Sequence, residues 1–195
     1  MEVDTLVRQW IAEIIRAHPA LLALAIRQRA KFEGWLKFEL AAYAQSKGMQ
    51  NVSVEAATGD SIRSRGDLTF SYAGGRCDVE LKTCNTNWRM PGVLDLTRPI
   101  TKNIAAVVED AKKLQACAGK GIIAFCIFPI PCNDMRWTLY LERIAKETCV
   151  SLSVDNHSTR VSVSLAGECK ADVIVVSFVV AKSALNAIPA ASGTA

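Results

Sequence analysis

The chain has 195 residues, half of them hydrophobic and 22% charged, which is an ordinary globular composition with ample material for one core. A net charge of +4 permits a basic binding face without requiring one. The longest apolar stretch, IIAFCIFPIP at 122–131, is too short to cross a bilayer and holds two prolines, and MEVDTLVRQW carries no secretory h-region, so no membrane is expected and a soluble, cytoplasmic protein is.

In chain order, Val7, Trp10, Ile11, Ile14 and Ile15 mark one face of a helix over 3–17, with Asp4 or Thr5 as its N-cap. Pro19 interrupts it, and a short helical piece, ALLALAIRQRA, follows. The segment up to about residue 30 reads as a helical extension that either covers the core or forms a homodimer interface. A longer helix is expected from Lys31 to Lys47, stopped by Gly48, with Phe32, Trp35, Leu36 and Leu40 on its apolar face. NVSVE (51–55) alternates as a strand.

In SIRSRGDLTFSYAGGRCDVELKT, Leu68, Phe70 and Tyr72 alternate with polar residues, and Gly74-Gly75 signals a two-residue hairpin. That turn pairs Tyr72 with Cys77, Phe70 with Val79 and Leu68 with Leu81, so the apolar faces coincide. Asp67 then lies opposite Lys82, with Glu80 opposite Thr69 and diagonal to Asp67. CNTNWRMPGVLDLTRP (84–99) is loop-like. A helix capped by Thr101 is expected over 102–117, a buried central strand over GIIAFCIFPI, and a helix from Asn133 through Glu147. VSLSVD, TRVSVSL and DVIVVSFVV read as strands, with turns at 155–157 and 166–167. Residues 183–195 read as a disordered tail. The order predicts a single α/β domain over 1–182, a mixed sheet flanked by helices.

Seven cysteines without a CxxC pair argue against a disulfide framework, a zinc ribbon or a redox dithiol. His18 and His157 have no Cys or acid at metal-ligand spacing, and no GxSxG, SxxK, GxxxxGK[ST] or GxGxxG occurs, so acyl-transfer, ATP and dinucleotide chemistries have no support. The acidic hairpin does carry chemistry. Two carboxylates diagonal on a sheet can share a hard divalent ion, and a neighbouring lysine can orient water or balance anionic charge on a phosphate.

Asp67, followed thirteen residues later by Glu80-Leu81-Lys82, resembles the D…(D/E)xK signature of the PD-(D/E)xK nuclease superfamily, the restriction-endonuclease-like fold. That family's order of helix with an acid, strand, hairpin, helix and buried strand is repeated over 31–130, where EGWLKFEL and VEDAKKLQ…GKGIIAFCIFP stand for the two helices and the last strand. The resemblance implies Mg²⁺, with Mn²⁺ as a substitute, held by Asp67, Glu80 and the Leu81 carbonyl. It implies Lys82 as the catalytic lysine, Glu33 as the helix carboxylate that binds metal-bound water, and a nucleic-acid substrate, DNA ahead of RNA. Gly66 stands where the family often has Pro, and Asp78 is a further acid on the same face that could serve as an alternate ligand. Glu33 and Glu39 point about 120° apart on a helix, so only one can serve, and Glu33 at the helix start is preferred.

Two other readings stand beside this one: a non-catalytic nucleic-acid- or protein-binding module of the same fold, and a domain with only a surface ion pair between Asp67 and Lys82. Trp10, Trp35 and Trp137 read as core. Trp88, beside Arg89 in a polar loop, could stack on a base, and Arg63, Arg65, Lys102, Lys112 and Lys113 could meet phosphates or simply face water.

Overall fold

The structure, a computed structural model, describes residues 2–56, 66–96, 100–115, 119–165 and 167–180. Arg63, Arg65, Cys117 and the expected tail lie outside the described residues. Three helices open the chain: α1 (Val3–Ala17), α2 (Pro19–Gln28) and α3 (Glu33–Ser46). Strands β1 (Gln50–Val54), β2 (Leu68–Tyr72) and β3 (Gly75–Asn85) follow, then α4 (Ile100–Gln115), β4 (Lys120–Ile130), α5 (Thr138–Thr148), the single turn α6 (Val154–His157), β5 (Ser158–Ser164) and β6 (Lys170–Val179). The strands form one six-stranded sheet in the order β1-β2-β3-β4-β6-β5. Only β3 and β4 run parallel, joined through α4; the other pairs are antiparallel, so the sheet is mixed. Among the described residues no helix is long and apolar enough to cross a membrane.

Period-two alternation sends successive side chains of each strand to opposite faces, and both faces are covered. Cys77, Val79 and Leu81 of β3, with Ile122, Ala124, Cys126 and Phe128 of β4, meet α1, α2 and α3. Ile123, Phe125 and Ile127 of β4, with Ile174, Val176 and Phe178 of β6, meet α4 and α5. The unbroken apolar run of β4 is thus what a strand between two helical layers requires. Each such Ile or Phe contributes about 1.5–3 kcal/mol by leaving water. The apolar stripe of α1 lies in the first of these cores, with Val7, Ile11 and Ile15 fully buried.

Several expected boundaries are corrected. α1 starts from Glu2 in extended backbone, with no side-chain cap from Asp4 or Thr5, and α4 begins at Ile100 rather than after Thr101. The helix expected from Asn133 begins at Thr138: Asn133 is left-handed (φ 63°), and Asp134 accepts from the backbone N–H and guanidinium of Arg136, which holds 131–137 in turns. VSLSVD is not a strand. β6 already has β4 and β5 as its two neighbours, and the Ser153 hydroxyl accepts from Asn156 N–H to cap α6.

The hairpin register differs from the expected one by two residues. The loop is Ala73-Gly74, both with positive φ (49° and 77°), so Tyr72 faces Gly75, Phe70 faces Cys77 and Leu68 faces Val79. Positive φ at both central positions is the turn that matches strand twist. A shift of two leaves every side chain on its expected face but changes its partner. Ala73 is the less suited of the pair, because an L-residue with a Cβ pays about 1 kcal/mol in the left-handed region. Ala73→Asn, which creates Asn-Gly, is expected to stabilise the fold by about 0.5–1 kcal/mol. A urea midpoint at or below that of the wild type would count against this turn.

Candidate active site

β3 outruns β2. The last β2–β3 pair is Leu68 with Val79, while β3 continues to Asn85 along β4. Beyond Val79, the amides of β3 that point toward β2 have no strand to meet. Side-chain carboxylates meet them instead: Leu81 N–H donates to Asp67 Oδ2 (2.9 Å), and Thr83 N–H donates to Glu33 Oε2 (2.9 Å). Asp67 sits one residue before β2, so the corrected register sets it opposite Glu80 and not opposite Lys82. The two carboxylates are close enough for the Asp67 charge to act on Glu80, although Asp67 Oδ2 turns to the Leu81 amide at the strand edge.

Lys82 leans along its own strand. Its ammonium lies 3.1 Å from Glu80 Oε1, 3.0 Å from the Leu81 carbonyl and 3.1 Å from Asp110 Oδ2 on α4. The expected Asp67–Lys82 surface ion pair is not among the ion pairs of the described residues; Asp67 pairs instead with Lys37 Nζ at 3.5 Å. Lys37 also reaches Glu55 Oε1 at 2.8 Å. Glu33, Asp67, Glu80 and Lys82 therefore lie around one stretch of β3, joined by Lys37 and Asp110. Glu39 sits away from them, 3.7 Å from His18. Asp78 is buried and held by Arg76 at 2.8 Å, nearer the hairpin turn.

Lys37 and Asp110 were not singled out in the sequence, yet each left a signal. Lys37 follows Glu33 by four positions, so both project to one helix face. Asp110 follows Val107 by three and precedes Leu114 by four, which places an acid within the buried stripe of α4.

The electrostatics follow from this crowding. Burial, and then the charge of Asp67, push the Glu80 carboxyl above its ordinary range despite the pull of Lys82. Burial opposes the Lys82 ammonium, but Glu80, Asp110 and Glu33 outweigh it and hold Lys82 above the usual lysine range. The hydrogen bond to Glu55 raises Lys37 likewise. A carboxyl that holds its proton more tightly when folded contributes stability below its unfolded value of 4.5, and that contribution is lost as pH rises. With EDTA present, Glu80→Gln is therefore expected to have the higher urea midpoint at pH 8. Its advantage should shrink as pH falls toward 4.5. A variant less stable than the wild type at pH 8 would show that the Lys82 contact dominates instead.

The oxygens near Glu80 are hard donors of the kind Mg²⁺ takes: the Asp67 and Glu80 carboxylates and the Leu81 carbonyl. Two of them already converge on a cation, the Lys82 ammonium. Two nearby carboxylates, one with a raised pKa, also fit a bound divalent charge that would relieve their repulsion. Among the described residues no group of three or more His, Cys, Asp or Glu side chains is disposed to hold a metal. An ion here would take two carboxylates and a carbonyl and keep several waters.

Trp88 stacks with Tyr140 (6.4 Å between centroids, 25° between planes), and the Arg136 guanidinium lies 4.7 Å from its ring, so its aromatic surface is engaged within the chain. Trp10 and Trp137 are core, and Trp35 packs edge-on against His18. Lys102, Lys112 and Lys113 are exposed, Lys113 pairing with Asp110 at 2.8 Å. No protein-family model, curated protein or solved structure matches the chain.

Proposed function

We propose that this chain is a metal-dependent nuclease of restriction-endonuclease-like fold that hydrolyses phosphodiester bonds, of DNA ahead of RNA. The observation that carries the reading is the meeting of Glu33, Asp67, Glu80 and Lys82 where β3 runs past β2. The six-stranded mixed sheet between helical layers, and the order of helix, strand, hairpin, helix and strand, agree with the D…ExK resemblance.

In this reading Asp67, Glu80 and the Leu81 carbonyl would hold Mg²⁺. The ion would supply a water of lowered pKa and neutralise charge on the phosphate. Without metal, Glu80, Asp110 and Glu33 hold the Lys82 ammonium above the usual lysine range despite its burial, so Lys82 enters the site as a cation. Its part is to stabilise anionic charge on the phosphate and to orient the attacking water. Glu33 stands at the first position of α3, where the helix dipole favours a carboxylate, and accepts a hydrogen bond from Thr83 N–H at the strand edge. Lys37 positions Asp67, and Asp110 positions Lys82, each through an ion pair.

A second reading, an inactive binding module of the same fold, is favoured by one observation: Asp67 and Glu33 already serve as caps for strand amides. Cleavage of plasmid and of linear single- and double-stranded DNA in Mg²⁺, Mn²⁺ or EDTA, by wild type and Lys82→Ala, tests the first reading. Calorimetric titration with Mn²⁺ separates the two. Binding that is lost in Glu80→Ala supports a metal site, and no binding by the wild type supports the inactive module.

A further inference from the structure

Beside the acidic site lies a cavity of about 510 Å³ that the reading above does not use. It is lined by Arg29 and Lys31 between α2 and α3, Asn85 at the end of β3, and Lys102 and Asn103 in the first turn of α4. The Arg29 guanidinium is committed to the carbonyls of Thr86, Trp88 and Leu94, so the positive charge offered to a ligand comes from Lys31 and Lys102. Both are exposed. Lys31 Nζ also touches Asn103 Oδ1 at 3.3 Å, and Lys102 makes no ion pair among the described residues.

Asn85 supplies a second and independent observation. It is 2% exposed, and its Oδ1 is buried with no hydrogen-bond partner among the described residues. Buried acceptors are nearly always satisfied. Asn85 lines the cavity while this oxygen itself is covered, so a ligand's O–H or N–H reaches it once the Asn85 side chain turns toward the cavity. The cavity thus combines cations for an anion with an acceptor for a neutral donor. A nucleotide carries both, in its phosphate and in a base amine or sugar hydroxyl. The position agrees as well. Lys31 is two residues before Glu33, and Asn85 is three residues beyond Lys82 on β3, about 10 Å along it and on the opposite face of the strand.

We propose that this cavity binds one nucleotide of a nucleic-acid strand, its phosphate on Lys31 and Lys102 and its base amine or sugar hydroxyl donating to Asn85 Oδ1. The inference rests on the nuclease reading for its placement next to the cleaved bond, though not for binding itself. The probes are a fluorescein-labelled 12-nucleotide single strand and its duplex, followed by anisotropy in EDTA, where nothing is cut. Reversing both lysines (Lys31→Glu with Lys102→Glu) is expected to weaken binding at least tenfold, and to reduce the slope of log affinity against log salt by roughly one to two. Asn85→Leu is expected to weaken it roughly three- to tenfold, as loss of one base or sugar contact does, with the slope unchanged. Lys146→Glu makes the same charge change on exposed surface of α5, near where Gln115 at the far end of α4 meets Thr148, and should change affinity little.

If the lysine reversal weakens binding no more than Lys146→Glu does, the proposal is overturned, and it is overturned equally if the wild type binds neither probe. Should Asn85→Leu fail to fold, the lysine pair alone decides. A wild type that cuts DNA in Mg²⁺ while the reversal binds normally removes this cavity and leaves the nuclease reading intact. A wild type that binds through the two lysines but never cuts keeps the cavity and removes the nuclease.

Discussion

Replacing Lys82 with alanine is expected to slow metal-dependent cleavage by roughly 10²–10³-fold, the usual effect of deleting one preorganised group that stabilises transition-state charge. The expectation follows from where the ammonium sits. Glu80 Oε1, the Leu81 carbonyl and Asp110 Oδ2 surround it at 3.0–3.1 Å, which fixes its direction before any substrate arrives. In the metal-free protein burial opposes the Lys82 charge, but Glu80, Asp110 and Glu33 outweigh it and hold the ammonium above the usual lysine range. Lys82→Arg should not restore the rate, since a planar fork does not fit a three-oxygen cage built around a compact ammonium. Lys82→Ala leaves Glu80 and Asp110 without this cation, so circular dichroism must accompany the assay. A folded Lys82→Ala that cuts at the wild-type rate would remove Lys82 from the chemistry.

The second large effect is structural and centres on Arg29. This residue ends α2 in the left-handed conformation (φ 50°), at a position where glycine is usual, and its side chain is 1% exposed. The conformation costs about 1 kcal/mol. It turns the guanidinium toward residues 86–94, where it donates to the carbonyls of Thr86, Trp88 and Leu94 at 2.5–2.7 Å. Arg29→Ala strands three acceptors and removes their donor, and is expected to cost on the order of 3–5 kcal/mol. At this chain length that corresponds to a fall in Tm of about 10 °C. Arg29→Lys should recover little, because one ammonium cannot serve three carbonyls held by a planar fork. Thermal unfolding followed by near-ultraviolet circular dichroism would report both stability and the order around Trp88; an unchanged Tm would mean that water replaces the guanidinium readily.

The parts of the fold that could be read in advance were those set by periodicity. The apolar stripe of α1, the continuous run of β4 and the alternation of β2 and β3 each name a buried face, and faces survive small errors of register. The hairpin shows why. Choosing Gly74-Gly75 as the loop in place of Ala73-Gly74 moved every pair by two, which kept the faces and changed the partners. It hid the facing of Asp67 and Glu80. The strand expected over VSLSVD failed for a different reason: alternation says that a segment would suit a sheet edge, not that an edge is vacant. Lys37 and Asp110 belong to the site through contacts with Asp67 and Lys82 from elsewhere in the chain, and tertiary placement of that kind has no local pattern. Their helical positions hinted at a face without naming what it met.

The unequal lengths of β2 and β3 have one more consequence. An extended strand whose amides meet no neighbour is a template on which another chain can add, and proteins guard such edges with charge. Here the guards are Asp67 and Glu33, which occupy Leu81 N–H and Thr83 N–H with carboxylates that also repel an incoming backbone. The same two acids therefore also cover the open edge of β3. Alanine at Glu33 and Asp67 would leave the Leu81 and Thr83 amides without these acceptors, whereas Gln and Asn keep an accepting oxygen, so the alanine variants are expected to self-associate more than the amide variants in sedimentation.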